Sequence, residues 1–129
     1  MAEGTVNGLG FLGVRIDDPS WFETTVALYR DTLGLTPFRE EPGRLVWFRL
    51  GDGTELHVYG PADTDHVVFG DRPCVGLVVD DVDATRARME AAGIEVLWEA
   101  QRDADRAWAH YRGPDGTVYE LIGPREREA

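Results

Sequence analysis

The chain has 129 residues, of which 43% are hydrophobic and 29% charged, a mixture suited to one compact domain and too apolar for disorder. Thirteen Lys and Arg against 24 Asp and Glu leave a net charge of −11, which repels nucleic acid and favours neutral or cationic small ligands. One cysteine, Cys74, excludes an internal disulfide and fits a reducing compartment. No apolar run reaches membrane-spanning length, and the opening Met-Ala-Glu-Gly lacks the basic and apolar regions of a signal peptide, so a cytoplasmic location is expected.

In chain order, residues 9–16 alternate as a strand that Asp17-Asp18-Pro19 breaks. Ser20 and Glu23 have the spacing of a capping box. Phe22, Val26, Tyr29 and Leu33 then form one apolar helical stripe, and Gly34 stands where a left-handed C-cap is expected. Strands follow near 35–40, 44–50 and 54–59, the last two joined by Gly51-Asp52-Gly53. Residues 61–72 read as a polar linker with His66 exposed. A strand at 73–79 precedes a helix at about 82–92, with Val82, Thr85, Met89 and Ala92 as its stripe and Gly93 as its stop. Strands near 94–99, 106–112 and 117–122 complete the pattern, and the charged tail after Pro124 is expected to fray.

The chain repeats itself. FLGVRIDD at 11–18 and CVGLVVDD at 74–81 share an offset of 63 residues, as do the two DGT triplets at 52–54 and 115–117 and the Gly-Pro pairs at 60–61 and 123–124. The expected organisation is a single domain of two βαβββ modules, 9–60 and 73–124, with linker 61–72 and tail 125–129.

Period two separates the faces of each strand. Leu12, Val14 and Ile16, then Val46, Phe48 and Leu50, and Leu56 with Val58, make uniformly apolar faces for a helix to cover. The opposite faces collect Phe11, Arg15, Trp47, Arg49, Glu55, His57 and Tyr59 in the first module. In the second they collect Cys74, Trp108, His110, Arg112 and Glu120. Paired tryptophans beside unlike charges suit a ligand-binding concavity better than a core. Trp21 and Trp98 fall where packing is the expected role.

These segments resemble the vicinal oxygen chelate superfamily, which includes glyoxalase I, bleomycin and fosfomycin resistance proteins and extradiol dioxygenases. The resemblance rests on FLGVRIDDPSWFETTVALYRDTLGL, on CVGLVVDDVDATRARMEAAGIEV and on the hairpin RGPDGTVYELIGP, and runs from Leu9 to Pro124. It implies an α+β fold in which two tandem βαβββ modules form a cupped, mixed, eight-stranded sheet with helices on its outer face. It also implies a homodimer. The family's metal positions fall on Phe11, His57, Cys74 and Glu120, with Glu55 as an alternative to His57.

Phe11 has no lone pair to offer, so a four-ligand site is interrupted. The favoured expectation is a metal-independent protein of the bleomycin-resistance type that sequesters an aromatic or cationic compound, with no cofactor. Phe11, Arg15, Trp47, Arg49, His57, Tyr59, Trp108, His110 and Glu120 would line its site. The alternative is a lyase or isomerase resembling glyoxalase I or an epimerase, holding Zn, Ni, Mn or Fe on His57, Cys74 and Glu120. A third reading is a metal-free enzyme with His110 or His57 as acid/base.

Overall fold

A computed structural model describes residues 5–125. Residues 126–129 of the expected tail, like residues 1–4, lie outside the described residues. The fold is α+β, with two helices and an eight-stranded mixed sheet that is not closed. The chain divides into two compact units, Phe11–Cys74 and a second made of the described residues up to Gly10 together with those from Val75 onward. Strand β1 (Val6–Arg15) is cut by this division, its first half belonging to the second unit.

In the unit Phe11–Cys74, β1 is followed by helix α1 (Pro19–Ala27) and strands β2 (Pro37–Glu41), β3 (Leu45–Arg49) and β4 (Glu55–Tyr59). The strands stand in the order β2-β3-β4-β1, with β1 parallel to β4 and the other pairs antiparallel. Phe22 and Val26 of α1 pack on Val46, Phe48, Leu56 and Val58, with Val14 and Ile16 alongside. That is the apolar face the alternation predicts, except that Leu12 is exposed and neither it nor Leu50 joins the cluster.

Three local expectations need correction. The helix begins two residues earlier than a Ser20 cap allows: Asp18, in an extended conformation, accepts from the Trp21 amide at 3.0 Å. Pro19 then takes the first helical position, where its fixed φ fits and its missing N–H costs nothing. The stripe also ends early. Leu28–Thr32 is a π-helical turn in which the Leu33 amide donates to the Leu28 carbonyl. This extra residue per turn swings Leu33 out to 58% exposure, and Leu35 packs on the core instead. Trp21 does not pack, being 67% exposed on the outer side of α1.

The linker is not a bare connection either. Asp63 and Phe69 are buried, Val67–Phe69 forms a 3₁₀ turn and His66 is half-buried.

The second unit contains β5 (Cys74–Val79) from Val75 onward, helix α2 (Val82–Ala91), β6 (Glu95–Arg102), β7 (Arg106–Arg112) and β8 (Val118–Pro124), in the order β5-β8-β7-β6. Asp81 caps α2 by accepting from the Ala84 amide, and Gly93 closes it at φ +82°. Val82 and Met89 pack with Val79, Ala107, Ala109 and Leu121, whereas Ala92 is exposed. Gly123 permits the close approach of β8 to β5: a Cβ there would lie 2.2 Å from the Val79 carbonyl oxygen.

Candidate functional site

The sheet face turned away from α1 carries the charged and aromatic residues of the first module. Register sets them in rows. Gly13 and Trp47 flank His57, Phe11 and Arg49 flank Glu55, and Arg15 and Leu45 flank Tyr59. The His57 ring stacks on Phe11 at 4.8 Å and on Trp47 at 4.1 Å, nearly parallel to both. Gly13 leaves the space in which the Phe11 ring lies, since a Cβ there would come within 3.0 Å of it.

Both His57 nitrogens are engaged. Nε2 is 2.9 Å from Glu55 Oε1 and Nδ1 is 3.1 Å from the Tyr59 hydroxyl. Glu55 also accepts from Arg49 at 3.3 Å, so Glu55 and His57 share a face rather than competing for it. Trp47 is covered on the strand side by Arg39, 4.5 Å from its ring, and Arg49 lies 4.1 Å over Phe38.

Arg15 turns to the linker. Its guanidinium donates to the Asp63 carboxylate at 3.3 Å and to the Asp63 carbonyl at 2.8 Å, and it pairs with Asp17. Asp17 first, then Asp63, push the Arg15 pKa up against the opposing effect of burial. Asp63 also accepts from the His66 amide and from His66 Nδ1, each at 2.9 Å. Burial alone would raise the Asp63 carboxyl, but the bonds from the ring and amide of His66 outweigh it and hold the group below the ordinary carboxylate value. His66 in turn stacks on Tyr59 at 3.7 Å. His66 is therefore a partner of the site's own tyrosine, not an exposed linker residue.

In the second unit, His110 stands directly across from Glu120, with Gly76 on the other side of Glu120. His110 Nε2 is 2.8 Å from Glu120 Oε1, and both residues are buried. Glu120 thus pairs with His110, and Arg112 reaches Glu95 and the Gly116 carbonyl. Trp108 donates from Nε1 to Gln101 Oε1 at 2.6 Å.

The 63-residue register now has a structural meaning: Gly13, Trp47 and His57 form one row, and Gly76, His110 and Glu120 form its counterpart. The first row is filled by stacked rings, the second by an imidazole–carboxylate pair. Sequence reasoning missed Asp63, His66 and Phe69. The spacing Asp63-x-x-His66, in which an aspartate accepts from amides two and three residues on, was the available signal.

The donor set does not fit the family's four-ligand metal. Phe11 offers no lone pair and its ring packs on His57. His57 has committed both nitrogens, and Cys74, though fully buried, is one thiol. Among the described residues, no group of three or more His, Cys, Asp or Glu side chains is placed to hold a metal ion.

A pair of βαβββ modules, each with a helix on one sheet face and polar and aromatic rows on the other, defines a paired-module α+β protein. The chain belongs to the Glyoxalase/Bleomycin resistance protein/Dioxygenase superfamily, whose model matches residues 9–121. Among solved structures it is similar to methylmalonyl-CoA epimerase from Mycobacterium tuberculosis, with 22% identity over 96% of this chain and 92% of that one, TM-score 0.68. A variant of the Streptomyces coelicolor methylmalonyl-CoA epimerase, in complex with 2-nitronate-propionyl-CoA, matches at 22% identity over 97% and 99%, TM-score 0.69. The Mn(II)-bound glyoxalase from Novosphingobium aromaticivorans matches at 24% identity over 98% of this chain and 42% of that one, TM-score 0.71. At these identities the likeness is one of fold. No curated protein matches the chain.

Proposed function

We propose that the chain is a metal-independent small-molecule-binding protein of the glyoxalase/bleomycin-resistance type. The observation that carries this reading is the Phe11–His57–Trp47 stack, with both nitrogens of His57 already bonded within the chain. A divalent ion needs free lone pairs in a fixed geometry, and this row offers ring faces, an imidazole with both nitrogens bonded, and the Trp47 indole N–H, which donates and cannot ligate. Rings with a few placed charges are what a planar ligand needs. Phe11, Trp47 and Tyr59 would supply the apolar wall of one module, and Trp108, His110 and Glu120 the contacts of the other. The net charge of −11 favours a neutral or cationic compound. We further propose a homodimer in the cytoplasm, a compartment that suits a lone buried thiol. No helix among the described residues is long and apolar enough to cross a membrane.

A second reading draws on the similarity to two methylmalonyl-CoA epimerases and a Mn(II)-bound glyoxalase. It is a lyase or isomerase holding a divalent metal on His57, Cys74 and Glu120, and it requires His57 to give up a bond to Glu55 or Tyr59 and Glu120 to leave His110. Without metal, the His110–Glu120 pair is the acid–base candidate.

Elemental analysis of untagged protein separates these. Well under one equivalent of transition metal is expected, with a melting temperature unmoved by chelator dialysis or by added zinc, nickel, manganese or iron(II). Near-stoichiometric metal that survives dilution would overturn the binding reading.

A further inference from the structure

Strand β6 is interrupted. Leu97 stands opposite His110 and Gln101 opposite Trp108, so residues 98 to 100 face Ala109 alone. Two extra residues are therefore accommodated as a bulge, a device that re-aims side chains. Trp98 opens it at φ +33°, the one residue other than glycine with a positive φ among the described residues. A residue with a Cβ adopts that conformation at a cost.

The bulge changes where the indole goes. Leu97 shares a face with His110, so regular alternation would turn Trp98 to the α2 side. Its ring instead lies 5.8 Å from the His110 ring, so two consecutive residues address one face. Arg86 on α2 holds the distortion by donating to the Trp98 carbonyl at 2.7 Å, its own position fixed by Glu90 at 3.3 Å. Burial does not explain the arrangement, because Trp98 remains 48% exposed. A strained backbone, anchored by a charged side chain, presents a half-exposed indole beside an imidazole–carboxylate pair. Strain of this kind persists where the surroundings enforce it and tends to mark ligand contacts.

We propose that Trp98 is a ligand-contacting residue of the second module, stacking on a planar aromatic cation beside His110 and Glu120. This rests on the binding reading above and names its ligand class. The indole face supplies cation–π attraction, and the carboxylate of Glu120, beside His110, supplies the sign of charge.

The test uses the full chain and proflavine, a planar aromatic cation, with binding read from the dye's fluorescence anisotropy. Trp98→Gly removes the indole and suits the positive φ. It is expected to weaken binding about tenfold while leaving the melting temperature unchanged or a few degrees higher. Trp98→Phe, which keeps a ring, is expected to stay within about threefold of the native affinity. Equal affinity of native and Trp98→Gly chains overturns the role of Trp98 and leaves the binding reading intact. Lost binding with a melting temperature lowered by several degrees assigns Trp98 to packing and also overturns the proposal. Failure of the native chain to bind proflavine overturns the planar-cation class itself.

Discussion

Asp63 is the residue whose replacement most sharply tests how the linker is held. Its carboxylate is shut off from solvent and accepts from the Arg15 guanidinium, the His66 ring and the His66 amide. Asp63→Ala removes the acceptor for all three, leaving Arg15 with only Asp17 and the Asp63 carbonyl, and the His66 ring without its bond. Breaking a buried charge pair costs about 3 to 5 kcal/mol, and the remaining partnership of Arg15 places this case at the lower end, about 3 kcal/mol. For a chain of this length each kcal/mol moves the melting temperature by about 4 °C, so a fall of about 12 °C is expected by calorimetry at pH 7. Asp63→Asn keeps the shape and one acceptor, and about 2 kcal/mol is expected. The pH dependence has a definite sign. The folded carboxyl is held below its ordinary value, so its contribution is complete above the unfolded pKa of about 3.9 and is lost as pH falls through the folded value. The gap between the native chain and Asp63→Asn should therefore close as pH falls below about 4. A fall of less than about 3 °C for Asp63→Ala at pH 7 would refute the reasoning, since the linker would then be held by Phe69 and Tyr59 packing alone.

Two further outcomes are expected. At Gly123 and Gly60 an added Cβ would lie 2.2 Å from the Val79 carbonyl oxygen and 2.5 Å from the Gly43 carbonyl oxygen, so alanine at either site should cost more than about 3 kcal/mol in chemical denaturation. Gly51→Ala, with nothing within 4 Å, serves as the comparison and should change stability by less than about 1 kcal/mol; similar costs at all three sites would contradict the close-packed reading. Cys74 is fully buried, so the native thiol should react with a disulfide reagent about 100-fold more slowly than in guanidinium chloride, and prompt labelling would show that its strand opens readily.

Much of the fold was legible because its signals are local and periodic. Alternation over 46–50 and 56–58 assigned Val46, Phe48, Leu56 and Val58 to the helix-facing side, where they pack. Gly34 and Gly93 marked both helix ends because few other residues tolerate φ of +73° and +82°. The 63-residue offset carried the first module's order of elements onto the second, and it paired Trp47 with His110 and His57 with Glu120 before any register was known. The α1 cap was misplaced because two capping signals lay two residues apart, and the Pro19 geometry decided for Asp18.

The site was legible only as a list of residues on one face. Alternation places His57 and Glu55 on the same side, yet it cannot say that the two bond to each other or that Phe11 and Trp47 close over the imidazole. Such choices depend on which strands become neighbours and in what register, and a polar group takes whichever satisfied partner the assembled surroundings offer. Nor does sequence reveal that Arg15, 48 residues before Asp63, reaches back to the linker, or that His66 rests on Tyr59. The bulge at Trp98 is the clearest case, since it shows only in the register of β6 against β7 and in the bond from Arg86 of α2, partners that lie outside residues 97 to 101. The sequence determined the elements, their order and their apolar faces, because chain geometry and steric preference act over a few residues. Tertiary structure alone decided the hydrogen-bond partners, the stacked rings and the one strained tryptophan, because those depend on groups brought together from distant parts of the chain.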